Sequence, residues 1–198
     1  MNDASTGVRE ATARRRRLFV ILAALAAFFL ALQIGSIERR IDVAPEALLR
    51  PLEQKPPAGF RAVSLEHSDS EEEFVWRLAL EPVADDYGFL LIDVGVAPPG
   101  RWYGPKCEWI GHELPLATEE LVAPPSKDAS AACRFTFPTE WRVITYQIVT
   151  RNALVHVQTA VTARVDDQTA LDLIVSVART QVAVIERLAP RHWWEGPG

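Results

Sequence analysis

The feature that most constrains this chain is an uncharged apolar run that begins at Leu18 and ends at Ile37. A helix rises about 1.5 Å per residue, so such a run reaches about 30 Å, the thickness of the hydrocarbon core of a bilayer. Arg9 and the consecutive arginines at 14–17 precede it, and this positive charge favours a cytoplasmic amino terminus. The sequence therefore predicts a basic cytoplasmic segment at 1–17, a transmembrane signal anchor at 18–37 and an extracytoplasmic remainder.

Two other amino-terminal arrangements compete with an anchor. A cleaved signal peptide has a shorter apolar core and a small-x-small cleavage site, which the residues around Ala31 and Gln33 match poorly. A lipid-anchored protein needs a cysteine at the end of the apolar run, whereas the first cysteine of this chain is Cys107. A membrane anchor is the interpretation we adopt, and cleavage stays open.

The charge of the outer part limits its partners. Of the 21 basic and 26 acidic residues, five basic and two acidic ones precede the apolar run, which leaves 16 basic and 24 acidic residues and a formal net charge of −8. A nucleic-acid partner would require the opposite sign, so none is expected. The outer part has the size of one ordinary domain, and its preference for arginine over lysine indicates a G+C-rich, bacterial source.

The segment directly after the anchor is rich in proline. Pro45, Pro51, Pro56 and Pro57 fall within 38–59, and each fixes its own φ and lacks an N–H donor. We expect an extended stalk here, with one helical turn at 46–50. The folded domain is then expected at 60–190, followed by a tail at 191–198.

Hydropathy periods predict an α+β domain, in which an antiparallel sheet of five to six strands is packed by one long C-terminal helix. Asp166 is placed to cap that helix, whose apolar stripe runs until Pro190, and Asn152 is expected to adopt positive φ in the preceding hairpin turn. A short helix is predicted at 118–122. Alternation of period two predicts strands at 60–66, 73–80, 87–96, 133–137, 142–150 and 154–165.

Residues 98–138, which we call the proline-rich segment, show no sustained period and contain seven prolines. Long segments without a regular period are usually functional, so a binding surface is expected here. The segment also contains Cys107 and Cys133, the two cysteines of the chain. Outside the cytoplasm we expect them to form a disulfide, whose loop closure is worth roughly 3–4 kcal/mol.

Aromatic residues supply the candidate binding residues. Trp102, Tyr103 and Trp109 lie in the proline-rich segment, and Trp193 and Trp194 lie in the tail beside Arg191. Large aromatics of this kind anchor partners at interfaces, and equally they plug cores. Both interpretations stay open for each group.

No catalytic residue, metal ligand or cofactor is predicted. His112 and Glu113 lack the second histidine of H-E-x-x-H, and Pro115 would break the helix that this motif requires. His156 is interpreted as a structural residue on the more polar face of its strand. An envelope hydrolase or metal-dependent enzyme with an unrecognised site around Glu108, His112 and Glu113 is one alternative, and a small-ligand carrier with a deep apolar pocket between helix and sheet is another.

The final hairpin and long helix, from Arg142 to Leu188 with Asn152 at the turn, resemble the extracytoplasmic sensor domains of actinobacterial receptor kinases and related secreted lipoproteins. The resemblance covers about a quarter of the chain and implies an extracytoplasmic α+β domain. It transfers no functional residue. Together with the anchor, it leads us to expect a non-enzymatic binding module of the cell envelope, whose partner is an envelope protein or ligand.

Overall fold

The computed structural model describes residues 20–28, 41, 43–67, 75–97, 104–107 and 115–189. The chain divides into two compact units, Met1–Arg40 and Ile41–Gly198. In the first unit, residues 20–28 form helix α1, and its apolar side chains, Val20 and Phe28 among them, are exposed. This stretch is too short to show a membrane span, and the rest of the predicted anchor lies outside the described residues.

The described part of the second unit contains one antiparallel sheet of seven strands in the order β1-β2-β3-β7-β6-β5-β4. It consists of two meanders, β1–β3 and β4–β7, which meet where β3 pairs with β7. The antiparallel α+β class is confirmed, but five to six strands was an underestimate. The strands are β1 Phe60–His67, β2 Val75–Pro82, β3 Tyr87–Val96, β4 Ala117–Leu121, β5 Ala129–Thr136, β6 Arg142–Thr150 and β7 Ala153–Val161.

Strand β4 is the one that the sequence patterns missed, because residues 118–122 were predicted as a short helix. Thr118 pairs with Phe135, and Glu120 pairs with Cys133, so β4 forms the sheet edge beside β5. An isolated helix of this length is unstable, whereas a short strand gains the hydrogen bonds of an existing neighbour. Cross-strand pairing decides the structure here.

Helix α3, Asp167–Leu188, packs on β6 and β7 with the predicted apolar stripe. Asp166 is its N-cap and accepts a hydrogen bond from the Thr169 backbone N–H at 2.9 Å, as predicted. Of the described helices, α3 is the one long and apolar enough to cross a membrane, but half of that stretch is buried in the domain. Its buried side therefore covers the larger apolar core, which lies between the helices and the sheet and which we call the main core.

The predicted stalk is wrong over most of its described length. Pro45–Gln54 forms helix α2, whose Leu48, Leu49 and Leu52 are buried in the same core as α3. Proline is tolerated at the start of a helix, where its N–H would lack a partner anyway, and Pro45 occupies that position. The apolar spacing of the leucines therefore outweighed the prolines, and the folded unit begins at Ile41.

The turn between β6 and β7 differs from its prediction in one detail. Positive φ occurs at Arg151, with a value of 56°, and among the described residues no other non-glycine residue adopts it. Asn152 instead uses its side chain: Oδ1 accepts from the Ile41 N–H at 2.6 Å, and Nδ2 donates to the Ala97 carbonyl at 3.2 Å. Asn152 thus joins three separate segments of the chain.

Candidate functional site

Most of the residues singled out from sequence lie outside the described residues, and the disulfide is the part that can be assessed. Cys107 and Cys133 form it, with their Cα atoms 5.7 Å apart, which confirms the predicted pair. The candidates outside the described residues are Trp102, Tyr103, Glu108, Trp109, His112, Glu113, Trp193 and Trp194.

The disulfide ties the segment 104–107 to β5 on the face of the sheet that is opposite α2 and α3. We call this the second face. A small apolar cluster surrounds the bond there, formed by Cys133, Phe135, Phe137, Val143 and Ala160 with partly buried neighbours. Residues 104–107 therefore cover part of the second face.

Beside this cluster, four polar residues of neighbouring strands lie side by side on the second face. Arg77 on β2 pairs with Asp93 on β3, Asp93 pairs with His156 on β7, and His156 pairs with Gln147 on β6. We call these four residues the polar row. Gln158 follows two positions after His156 and shares its face. The row crosses the junction between the two meanders.

Asp93, His156 and Gln147 of the polar row are buried, and Arg77 is half-buried. The side chain of Asp93 is 7% exposed and that of His156 is 4% exposed. Arg77 donates to both carboxylate oxygens of Asp93, from Nε to Oδ1 at 2.7 Å and from Nη2 to Oδ2 at 3.0 Å. His156 Nδ1 lies 3.6 Å from Asp93 Oδ2, within ion-pair distance. The bidentate contact with Arg77 offsets the cost of burying the carboxylate of Asp93.

Asp93 therefore remains ionised in the folded state. Burial by itself raises the pKa of this carboxyl, but the hydrogen bonds and charges of His156 and Arg77 outweigh burial and lower the pKa below its usual value. Of these two partners, Arg77 makes the shorter contacts. The carboxylate is thus a fixed negative charge beside the imidazole.

The segment 104–107, which the disulfide tethers to β5, also contacts the polar row directly. The Lys106 backbone N–H donates to Gln147 Oε1 at 2.9 Å. Because Cys107 is the next residue, the disulfide fixes the position from which this bond is made. The segment 104–107 and the polar row are therefore linked through the pair Lys106 and Gln147.

Two buried polar atoms at the row have no hydrogen-bond partner among the described residues. They are His156 Nε2 and Gln158 Oε1. Buried polar groups in native proteins are nearly always satisfied, so each such atom calls for an explanation, such as a ligand or a bound water. The described residues contain two further atoms of this kind, Tyr146 Oη and Gln181 Oε1, but only His156 and Gln158 lie two positions apart on one face.

The imidazole can do several kinds of chemistry in this setting. Nδ1 faces Asp93 Oδ2, and Nε2 is the ring nitrogen that has no hydrogen-bond partner among the described residues. An imidazole nitrogen in this position can accept a hydrogen bond when the ring is neutral or donate one when it is charged. In the described ranges, no group of three His, Cys, Asp or Glu side chains is arranged to hold a metal ion.

The sequence interpretation missed Arg77 and Asp93, although a signal for Asp93 was present. Asp93 interrupts the otherwise apolar run of β3, and a lone carboxylate in a central strand needs a buried partner. His156 was correctly placed in a strand on its more polar face. Its environment, however, depends on the pairing of β3 with β7, which no local pattern reveals.

A separate cleft of about 560 Å³ lies between Pro124 and the exposed side of α3. Asp172, Ser176 and Arg179 are among the residues that line it. It is not between α3 and the sheet, so it does not supply the deep apolar pocket that the carrier alternative requires.

Comparisons with protein-family models, with curated proteins and with solved structures find no match to this chain. The resemblance to actinobacterial sensor domains therefore stays a prediction. The residues of the site must be interpreted by their own geometry.

Proposed function

We propose that this chain is a membrane-anchored binding module of the bacterial cell envelope, which binds its ligand on the second face of the sheet at the polar row. One observation carries the binding role: His156 Nε2 and Gln158 Oε1 are buried side by side without a partner among the described residues. Leaving such atoms unsatisfied typically costs about 1–3 kcal/mol each, which a ligand would offset.

The location rests on three features of the chain. The apolar run from Leu18 to Ile37 has the length of a membrane span, and the arginines at 14–17 favour an amino terminus inside. The Cys107–Cys133 disulfide is of a kind that persists in oxidising compartments outside the cytoplasm. All three support an extracytoplasmic domain.

Reporter fusions test the location. Alkaline phosphatase fused after Gly198 should be active in cells, because that enzyme folds only outside the cytoplasm, whereas a green fluorescent protein fusion should be dark. Replacing the arginines at 14–17 with glutamate should reduce the phosphatase signal, since the positive-inside signal is then lost. A fluorescent, phosphatase-inactive pair of fusions would refute the proposed orientation.

Site-directed photo-crosslinking tests the binding role. A photoreactive residue at Lys106, beside the polar row, should form an adduct that intact-mass spectrometry detects in the membrane-purified protein. The matched control carries the same residue at Val83, which is exposed in the β2–β3 turn. The Lys106 adduct should disappear in the His156→Phe variant, and equal labelling at Lys106 and Val83 would contradict a site at the polar row.

A second candidate function is an envelope hydrolase, and one observation favours it. Asp93 lies beside His156 Nδ1, as an orienting carboxylate lies beside a general base. Turnover of model esters by the purified chain, lost in His156→Gln and kept in His67→Gln, would support this candidate. Turnover that is unchanged in His156→Gln would remove it.

A further inference from the structure

We propose that the exposed side of α3 is a self-association surface. A second copy of this chain docks there with its own α3 antiparallel, so that Asp172 of each copy pairs with Arg179 of the other. This proposal is independent of the polar row, which lies on the face of the sheet that is opposite α3.

The surface is the cleft of about 560 Å³ along the exposed side of α3. Pro124, which lies in the loop between β4 and β5, lines it together with residues of the helix. The helical residues extend from Asp172 to Ala183, which is about three turns. The cleft is therefore elongated along the helix, as the seat of a second helix must be.

Asp172 and Arg179 carry opposite charges on this side of α3, and both side chains are exposed. They are seven residues apart, which is two turns and about 10.5 Å along the helix axis, too far for an ion pair with each other. Asp172 Oδ1 accepts from Gln168 Nε2 at 2.8 Å. Arg179 Nη2 donates to the Pro125 carbonyl at 3.4 Å. Each charge is thus hydrogen-bonded to a neutral group.

The ion pairs between described residues include neither Asp172 nor Arg179. Exposed charges of opposite sign at a fixed spacing can therefore be matched by a partner that carries the same two charges in the reverse order. A second copy of α3, turned antiparallel, carries them in that order.

The arrangement is self-complementary about Ser176, which lies midway between the two charges and is exposed in the cleft. A two-fold axis near Ser176 brings Asp172 of one copy to Arg179 of the other and makes the same contact twice. Parallel helices in register would instead place like charges together, which is unfavourable. The small side chain of Ser176 lets the helices approach closely at the axis.

The dimer should be weak in dilute solution. Each exposed ion pair contributes at most about 1 kcal/mol. Stable dimers bury about 800 Å² on each partner, which is large for the face of one helix. Confinement of two copies to one membrane raises their effective concentration, so association is best measured there.

Cross-linking of the purified full chain in liposomes tests the surface. The chain has two cysteines, Cys107 and Cys133, which are bonded to each other, so Ser176→Cys supplies the single free thiol. A short bismaleimide should then join two copies and give a product of twice the mass. The matched control is Val83→Cys, exposed in the β2–β3 turn, which should stay monomeric.

Charge reversal tests whether the partner is a second copy. In the Ser176→Cys chain, Asp172→Arg and Arg179→Asp should each lower the cross-linked fraction at least about tenfold, because like charges then face each other. A mixture of the two reversed chains, one of them tagged, should restore a mixed product, since each chain supplies the charge that the other has lost.

Three outcomes would overturn the proposal: equal cross-linking at Ser176 and Val83, cross-linking that survives either reversal, and a mixture of reversed chains that stays monomeric. The last would mean that the cleft binds a different molecule. Circular dichroism checks the fold of the reversed chains. Asp172→Asn keeps the size of the side chain and removes its charge, so it should also lower the cross-linked fraction, and an unchanged fraction would refute the pairing.

Discussion

The side chain of Asn152 fastens the turn of the last hairpin to the backbone of Ile41, which lies 111 positions earlier in the chain. Asn152 Oδ1 accepts from the Ile41 N–H, and Nδ2 donates to the carbonyls of Ile41 and Ala97. Ile41 is the first residue of the folded unit and is buried in the main core. The start of the domain is therefore held by core packing together with one side-chain amide.

Removing that amide should destabilise the domain. Asn152→Ala loses the side-chain bonds to Ile41 and Ala97, and we expect a decrease of about 1–3 kcal/mol in the free energy of unfolding. Chemical denaturation measures it. Asn152→Asp keeps the acceptor and loses the donor, so its stability should be intermediate. An Asn152→Ala variant as stable as the parent chain would show that Ile41 is held by packing alone.

The Arg77–Asp93 pair should govern stability at acidic pH. Because the folded-state pKa of Asp93 is lowered, its stabilising contribution is present above the unfolded pKa of about 3.9 and is lost as the pH falls through the folded pKa. Arg77→Met removes a main cause of the lowering, so acid unfolding should begin at a higher pH. At neutral pH this variant should lose about 3 kcal/mol of stability, since Asp93 stays buried with only His156 beside it.

The matched control for Arg77→Met is Arg61→Met. Arg61 also pairs with an acid on a neighbouring strand, Glu81, but both side chains are largely exposed. Exposed pairs contribute at most about 1 kcal/mol, so the acid transition should stay in place. Circular dichroism against pH measures the midpoint of acid unfolding in both variants. Equal shifts of that midpoint would mean that the burial of Asp93 does not contribute to stability at acidic pH.

The disulfide should stabilise the domain and fix the segment 104–107 against the sheet. Replacing both Cys107 and Cys133 with serine should lower the free energy of unfolding by roughly 3–4 kcal/mol, because the unfolded chain is no longer constrained. The Lys106 amide should also exchange hydrogen faster, since its bond to Gln147 loses its tether. Reduced parent protein is the control and should match the double variant. A double variant with the unfolding midpoint of the oxidised protein would contradict this prediction.

Gly88 has little room for a side chain. A Cβ at this position would lie 3.2 Å from the Cβ of Ala160 and 3.2 Å from Cζ3 of Trp141, closer than such atoms normally approach. Gly88→Ala should therefore cost about 1–3 kcal/mol by overpacking. Gly104→Ala is the matched control, because nothing lies within 4 Å of its added methyl group. Thermal unfolding should separate the two, and equal melting temperatures would contradict the prediction.

The parts of the fold that local patterns predict are those stabilised by local periodicity. Helix α3 and the β6–β7 hairpin were predicted because their apolar residues recur over long stretches, with a period of 3.6 residues in the helix and of 2 residues in the strands. Strand β4 and helix α2 were not, because each depends on a distant partner: β4 on β5, and α2 on the leucine-lined core beneath α3. Proline content misled the interpretation of α2, since Pro45 lies at the start of the helix, where proline is accepted, and the buried leucines outweigh the cost of Pro51 in its interior.

The candidate site was even less accessible to prediction. Arg77, Asp93 and His156 come from three strands, and only the register of β2, β3 and β7 brings them side by side. A register is set by the whole sheet, so no sequence window contains it. The disulfide could be predicted because it needs only the count of two cysteines and the compartment that the apolar run leads us to expect.

The junction of the two meanders has a consequence for the order of folding. Each meander is built from neighbours in the chain, whereas the β3–β7 pair joins residues as distant as Asp93 and His156. Contacts between distant residues form late, because the intervening loop must first be closed. We expect Cys107 and Cys133, both on the carboxyl-terminal side of the junction, to oxidise in a chain that still lacks its polar row. A newly made chain would then be covalently cross-linked before its polar row is assembled, and assembly of the row would mark the completion of folding.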